Sequence, residues 1–273
     1  MKKILTLLCC IGALLMLASC GRSAKKAAED AAIAAEIARQ DSIEAAQKQQ
    51  QIMAKLANLP AEPVFDIVTS EGTIRVKLYE DTPKHRDNFA KLALEGFYDG
   101  ILFHRVIPGF MIQVGDPLTK DAANKQRFGT GGPGYTVPAE ILPTHTHKLG
   151  ALAAARLGDA ANPMRASSGS QFYIVQAKEV DKRLISQMRN YPDSYPPEIV
   201  DDYEALGGTP HLDFRHTVFG QVYEGMDVVD EIAGVPTNAM DKPLAEQKMK
   251  KVRITVMKKV CHADLMEKYE KQY

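Results

Sequence analysis

The sequence predicts a mainly β domain, an antiparallel barrel capped at its ends by two helices, with a helical spacer before it. Three observations carry this. Several short runs after residue 60 alternate apolar with polar residues, the period of a half-buried strand. Two stretches, after Thr82 and after Gly225, instead space their apolar residues at helical intervals. Ser23 to Asn58 holds mostly Ala, Glu, Lys, Gln and Arg with no Gly or Pro, a strongly helix-forming composition. Short alternating strands with two helices fit a capped antiparallel barrel.

Composition excludes more than it selects. The 273 residues carry 34 basic and 34 acidic side chains, so no basic excess points to nucleic acid. Trp is absent, which removes one common platform for stacking bases or sugars. Met1-Lys2-Lys3 is a positive start, and Ile4 to Leu17 is an apolar run too short to span a bilayer as a helix. Leu17-Ala18-Ser19-Cys20 follows and resembles the lipobox of bacterial lipoproteins. The resemblance implies a signal peptide over 1–19, lipid on Cys20, and a membrane-anchored, periplasm-facing place in a bacterial envelope. An ordinary secretory signal with a chance cysteine is the alternative. Cys9 and Cys10 would leave with the signal, so Cys261 is the only free thiol expected in the mature chain.

The spacer is expected over 20–60. If helical from Ser23 to Asn58 it would reach about 50 Å. Ile33, Ile37, Ile43, Ile52, Met53 and Leu56 keep no clean heptad, which argues for a semi-rigid stalk over a coiled coil or a partner-binding helix. Leu59-Pro60 and Pro63 end it, and the main domain is expected over 61–260, with a polar tail over 261–273.

Within the domain, Val64 to Thr69 and Thr73 to Tyr79 form a hairpin about Ser70-Glu71-Gly72. Thr82-Pro83 supplies an N-cap and an N1 proline, and Gly96 a C′ stop. Arg105 to Ile107 and Phe110 to Ile112 flank a Pro108-Gly109 turn. Pro117 to Arg127 reads as polar loop. The glycine-dense run Phe128 to Tyr135 lacks the Lys-Ser/Thr ending of a phosphate loop, so it is expected to shape a rim. His145 and His147 are expected to be two exposed histidines, since no third ligand type stands near. Leu149 to Arg156 reads as a strand. An insertion near 178–210 combines helical character over Lys178 to Asn190 with a second short helix over Glu198 to Leu206. It is expected to be an elaborated loop, with substrate access as its possible role. Gly225 to Ala233 is the second capping helix, and Val252 to Val256 the closing strand.

The stretch Phe103-His104-Arg105-Val106-Ile107-Pro108-Gly109-Phe110-Met111-Ile112-Gln113-Val114-Gly115-Asp116 organises the chemistry. It places a permanent cation with five donors beside an aromatic, a thioether and an amide. That set suits a neutral ligand with a carbonyl and an apolar ring. The stretch resembles the signature of the cyclophilins, the barrel-shaped peptidyl-prolyl isomerases. Gly169-Ser170-Gln171-Phe172-Tyr173-Ile174 resembles their second signature and His216-Thr217-Val218-Phe219-Gly220 their third, in family order, over roughly Val64 to Val256.

The resemblance implies a closed eight-stranded barrel and catalysis of X-Pro rotation, with proline-containing polypeptides as substrates, no metal or cofactor, and a monomer. By position it implies Arg105 as the catalytic donor, with Gln113 holding its guanidinium. Phe110, Met111, Tyr173 and Leu212 would form the proline pocket, with His216 at its edge and Gln171 and Phe172 in the same wall. Ala155 and Arg156 would meet the peptide through their backbone. Three departures stand out: Arg156 replaces a frequent Asn, Tyr173 a frequent Phe, and His211 the Trp of many eukaryotic members. The last predicts weak cyclosporin binding. A peptide-binding holdase with little turnover is the competing reading. Ser170 near His216 lacks an oriented acid and a Gly-x-Ser-x-Gly elbow, which argues against hydrolysis.

Overall fold

The structure is a computed structural model that describes residues 2–255, with side chains over 25–254. The expected signal segment and Cys20 therefore have backbone only, and Cys261 with its tail lies outside the described residues. The chain divides into two compact units between Lys55 and Leu56.

The first unit is helical. Helix α1 runs Lys2–Ala57 and is unbroken through the stretch from Ser23 that lacks Gly and Pro. Ile33, Ile37 and Met53 are exposed along it.

The second unit opens with the expected hairpin, β1 (Val64–Thr69) and β2 (Thr73–Leu78). Ile74, Val76 and Leu78 face the core, while Arg75 pairs with Asp66 directly across the ladder, Nε to Oδ1 at 2.8 Å. Helix α2 (Pro83–Glu95) follows and ends at Gly96 in the left-handed region, φ 73°. Thr82 is its N-cap by position but makes no side-chain cap bond. Glu140 does that work from a distant loop, accepting from the Lys84 and His85 amides at 3.0 and 2.9 Å.

Strands β3 (Ile101–Leu102), β4 (Arg105–Ile107) and β5 (Met111–Val114) come next. Pro117–Lys120 and Ala122–Arg127, expected as loop, form two 3₁₀ turns because Asp116 and Asp121 cap them, accepting from the Leu118 and Ala123 amides. Then follow β6 (Thr136–Val137), β7 (Ala151–Ala154), β8 (Ser167–Ser168) and β9 (Phe172–Val175). The insertion supplies α3 (Lys182–Met188) and α4 (Pro197–Leu206). The chain closes with β10 (Val218–Glu224), α5 (Met226–Ala233) and β11 (Lys248–Thr255).

Nine strands form one antiparallel sheet in the order β3-β11-β1-β2-β10-β7-β9-β5-β4, and β6 pairs with β8 separately. The expected closed eight-stranded barrel is therefore corrected to a strongly curled, open nine-stranded half-barrel. Its two edges, β3 and β4, are joined by only Phe103-His104 in the chain, yet no ladder links them among the described residues. The backbone at this junction bonds elsewhere: Phe103 N–H to the Gln247 carbonyl, and Val106 N–H to the Asp241 carbonyl, both at 2.8 Å.

The two faces of the sheet serve different ends. The concave face holds the main core, where Phe65, Phe89, Tyr98, Phe172 and Phe219 pack edge-on or tilted. The opposite face of β5, β7, β9 and β10 carries a smaller cluster, including Met111, Ala153, Tyr173 and Val218, with Phe110 and Leu212 packed against it. The insertion has its own small core of Ile185, Met188, Val200 and Tyr203.

Candidate active site

The site lies on the smaller cluster. The β4–β5 hairpin sets Arg105 directly opposite Gln113, and the β5–β9 ladder sets Gln113 opposite Tyr173. Strand register alone thus brings the first two signatures together. Gly115 makes the approach possible: its φ of 104° favours glycine, and a Cβ there would collide with the Ser170 carbonyl. Ser170 Oγ in turn donates to the Gly115 carbonyl at 2.7 Å.

Nine of the expected residues line one cavity of about 160 Å³: Arg105, Phe110, Met111, Gln113, Ala155, Arg156, Tyr173, Leu212 and His216. An engineered cavity of about 150 Å³ accepts benzene, so this one has room for the five-membered ring of a proline. Phe172, expected in the same wall, faces the other way. Successive residues of a strand point to opposite faces, so β9 sends Tyr173 to the cavity and Phe172 to the main core against Phe89 and Tyr98. Gln171 lines a larger neighbouring cavity of about 750 Å³, together with Gln113, Ala155, Arg156 and the glycine-rich loop.

That loop shapes a rim, as its sequence suggests. Asp116, fully buried, accepts from the Leu118 and Gly129 amides and so pins the loop's start. Gln171 Nε2 donates to the carbonyls of Gly129 and Gly131 at 3.0 and 2.8 Å, leaving its Oε1 to accept from Gln113 Nε2 at 3.1 Å.

Gln113 is therefore committed to Gln171, and the expected hold on the guanidinium comes from another residue. Arg105 Nε stands 3.4 Å from Asp241 Oδ2. Its terminal NH₂ groups are left without a partner among the described residues, donors for a ligand. Asp241 sits in a turn with φ 58°, unusual for a non-glycine residue, and its carbonyl receives the Val106 amide. Sequence reasoning missed it, since it lies far along the chain in a segment with no periodicity.

Ala155 and Arg156 differ in what they offer. The Ala155 N–H donates to the Gln171 carbonyl and its carbonyl accepts from Ser168. The Arg156 main chain takes no hydrogen bond within the described residues. Its side chain folds away, bonding the Arg215 and Leu157 carbonyls at 2.7 and 2.9 Å and Asp159 at 2.6 Å. The arginine side chain thus leaves its own backbone open.

Behind the pocket lies a buried polar chain. His147 is wholly buried, not exposed as expected, because its ring has partners on both sides. Nδ1 bonds Asp213 Oδ1 at 2.8 Å and Nε2 pairs with the Tyr173 hydroxyl at 3.0 Å. Asp213 Oδ2 accepts from the Tyr203 hydroxyl of α4 at 2.6 Å. This answers the polar need of Tyr173, and burial raises that hydroxyl far above its ordinary pKa. Burial first, then His147 and Arg156, push His216 down to about 4, so it meets the pocket as a neutral ring. His145 instead pairs with Asp81 at 2.6 Å and stacks on Tyr79.

The pocket thus sets the Arg105 guanidinium beside Phe110, Met111, Leu212 and a neutral His216 ring. The family model for cyclophilin type peptidyl-prolyl cis-trans isomerase/CLD matches residues 64–254. The chain belongs to the cyclophilin family of peptidyl-prolyl isomerases. A candidate peptidyl-prolyl cis-trans isomerase of Staphylococcus epidermidis is 38% identical over 177 residues, covering 64% of this chain and 83% of that protein. One from Staphylococcus aureus is 40% identical over the same length and coverage. Among solved structures, a Cryptosporidium parvum cyclophilin type peptidyl-prolyl cis-trans isomerase superposes with a TM-score of 0.53 at 24% identity. It covers 72% of this chain and 99% of its own. The same Cryptosporidium protein in the presence of the dipeptide Ala-Pro gives a TM-score of 0.52. At that identity the cyclophilin structures speak for the fold.

Proposed function

We propose that this cyclophilin accelerates X-Pro rotation in exported proteins, held to the bacterial envelope as a monomer by lipid on Cys20, facing the periplasm. The peptide bond resists rotation by about 18–20 kcal/mol because the nitrogen lone pair is shared with the carbonyl. In the twisted state that lone pair returns to nitrogen. A fixed cationic donor interacts more strongly with it there than in the planar amide, which is differential binding. No nucleophile or metal is needed. X-Pro exchange is slow enough to limit folding, so exported chains are a natural client.

The observation that carries the catalytic reading is the Arg105 guanidinium, tethered only at Nε among the described residues, at the rim of a proline-sized cavity. Arg105 is the donor in this reading. Phe110, Met111, Tyr173, Leu212 and neutral His216 hold the ring, and the Arg156 backbone aligns the peptide. The lipobox resemblance at Leu17 to Cys20 supports the anchor.

Exchange NMR on an X-Pro peptide with the full-length protein tests the chemistry. Acceleration in the parent, falling about 100-fold in Arg105→Ala, is the expected result, in line with the loss of one preorganised donor. Peptide binding without acceleration in the parent would replace the enzyme with a holdase. Metabolic labelling with a fatty acid, lost in Cys20→Ala, tests the anchor.

A further inference from the structure

The insertion builds a second cavity, of about 520 Å³, against the same segment that closes the proline pocket. Leu212 and His216 turn into the proline cavity, while His211, Phe214 and Arg215 line the second one, faced by Leu184 and Tyr191 of the insertion and by Arg165. A third cavity shares Phe110 with the proline pocket and Leu184, Pro210 and His211 with the second one. The His211 ring lies 5.7 Å from that of Phe110, and this trough, lined by Phe110, His211 and Leu184 with the exposed acids Glu179 and Asp181 on its insertion side, lies beside both. At about 3.3 Å per extended residue, a bound chain crosses such a rim within a few residues of its proline.

The second cavity is aromatic and cationic. The exposed Arg215 guanidinium has no partner among the described residues, and Arg165 is 40% exposed, 3.3 Å from Asp159. Asp213, the acid in the lining, is buried with both oxygens engaged by His147 and Tyr203, and Asp159 offsets Arg165, so Arg215 is the cation left open to the cavity. The wall is also held in an uncommon conformation. Phe214 has φ 60°, its carbonyl accepting from Arg165 Nη1 at 2.9 Å and its ring against Tyr195. A non-glycine residue keeps such a φ only where its surroundings over-determine it.

We propose that this cavity is an accessory subsite for the same polypeptide whose proline is turned over, and that it takes an acidic, aromatic-bearing flank on the side away from Gln171. The proposal rests on the isomerase reading. An aromatic ring of the flank packs against Tyr191 and Phe214, and a carboxylate meets Arg215 in charge-assisted hydrogen bonds.

The test uses full-length protein and peptides sharing one X-Pro core. A Phe-Glu or Phe-Lys pair is placed two or three residues before the proline in one set and after it in another. Both kcat/KM by exchange NMR and affinity by titration are read. In the parent, the acidic peptide of one set is expected to exceed the basic one about tenfold, a common worth for a hydrogen bond to a charged group. Arg215→Glu is expected to invert that ratio, which is internal to each protein. Equal ratios in the parent, or a ratio that Arg215→Glu leaves alone, would overturn the subsite while leaving the isomerase intact. A parent that accelerates no peptide overturns the isomerase instead, and the affinity ratio still decides the subsite. Should Arg215→Glu not fold, Tyr191→Ala at an exposed ring serves. It is expected to abolish preference for Phe over Ala in the flank, and a preserved preference would count against the proposal.

Discussion

Arg105 illustrates how little of a catalytic residue's setting is local. Its strand and cross-strand partner follow from the hairpin, but the group that tethers it, Asp241, comes from 136 positions further along. Both side chains are about two-fifths exposed, so the pair itself contributes at most about 1 kcal/mol. Asp241→Asn is accordingly expected to lower kcat/KM no more than about fivefold, far short of Arg105→Ala in the same exchange assay. Tyr173→Phe should act differently. It keeps the ring but strands His147 Nε2 in a buried site, at a cost of about 1–3 kcal/mol. The loss is expected in the melting temperature rather than in kcat/KM. The pocket's pH response is set by His216. With its pKa depressed to about 4 and the guanidinium always charged, kcat/KM should stay flat from pH 8 to 5. It should fall only as the ring gains a proton near pH 4.

At the scale of elements, α2 shows a sequence signal read correctly for the wrong reason. Thr82-Pro83 marks the helix start, yet the cap is Glu140. Burial alone would raise its pKa, but hydrogen bonds from the His85 ring and the Lys84 and His85 amides outweigh burial and leave it below the ordinary value. The unfolded chain therefore holds the proton more tightly. Glu140's stabilisation is present above about pH 4.5 and is lost as pH falls through the lower folded value. Glu140→Ala is expected to cost about 1–2 kcal/mol at pH 7, with a smaller difference from the parent at pH 3, measured by denaturant titration. The run Glu140–His85–Ser167 has the order of a hydrolytic triad, with His85 Nε2 2.9 Å from Ser167 Oγ. Ser167 is 1% exposed, so the run works as a clamp. Legibility followed burial. The β1–β2 hairpin is buried chiefly on one face of β2 and its alternation could be read; β7 and β9 are buried on both, and nothing in their sequence separates the face toward Tyr173 from the face toward Phe172. Of the eleven site residues taken from family position, ten line the two adjoining cavities, and Phe172 points away because it breaks the two-residue period. His147 and Asp241 carry no such motif, because their partners are set by tertiary packing alone.

Across the whole molecule, α3 and α4 form a segment expected as an insertion. It is tied to the catalytic unit through Tyr203 and Asp213 as well as by its own core. Replacing Lys178 to Leu206 with a short turn removes one donor from buried Asp213 and is expected to cost about 1–3 kcal/mol, while discarding any flank preference in the peptide assay. The half-barrel adds a different consequence. Its edges meet at Phe103-His104, and Val106, one residue past Arg105, gives its amide to Asp241 instead of to a strand. That amide is then a built-in reporter. Its hydrogen–deuterium exchange is slow while the Asp241 turn is docked and fast when it lifts, so one NMR peak follows whether the guanidinium is held, with or without a substrate present.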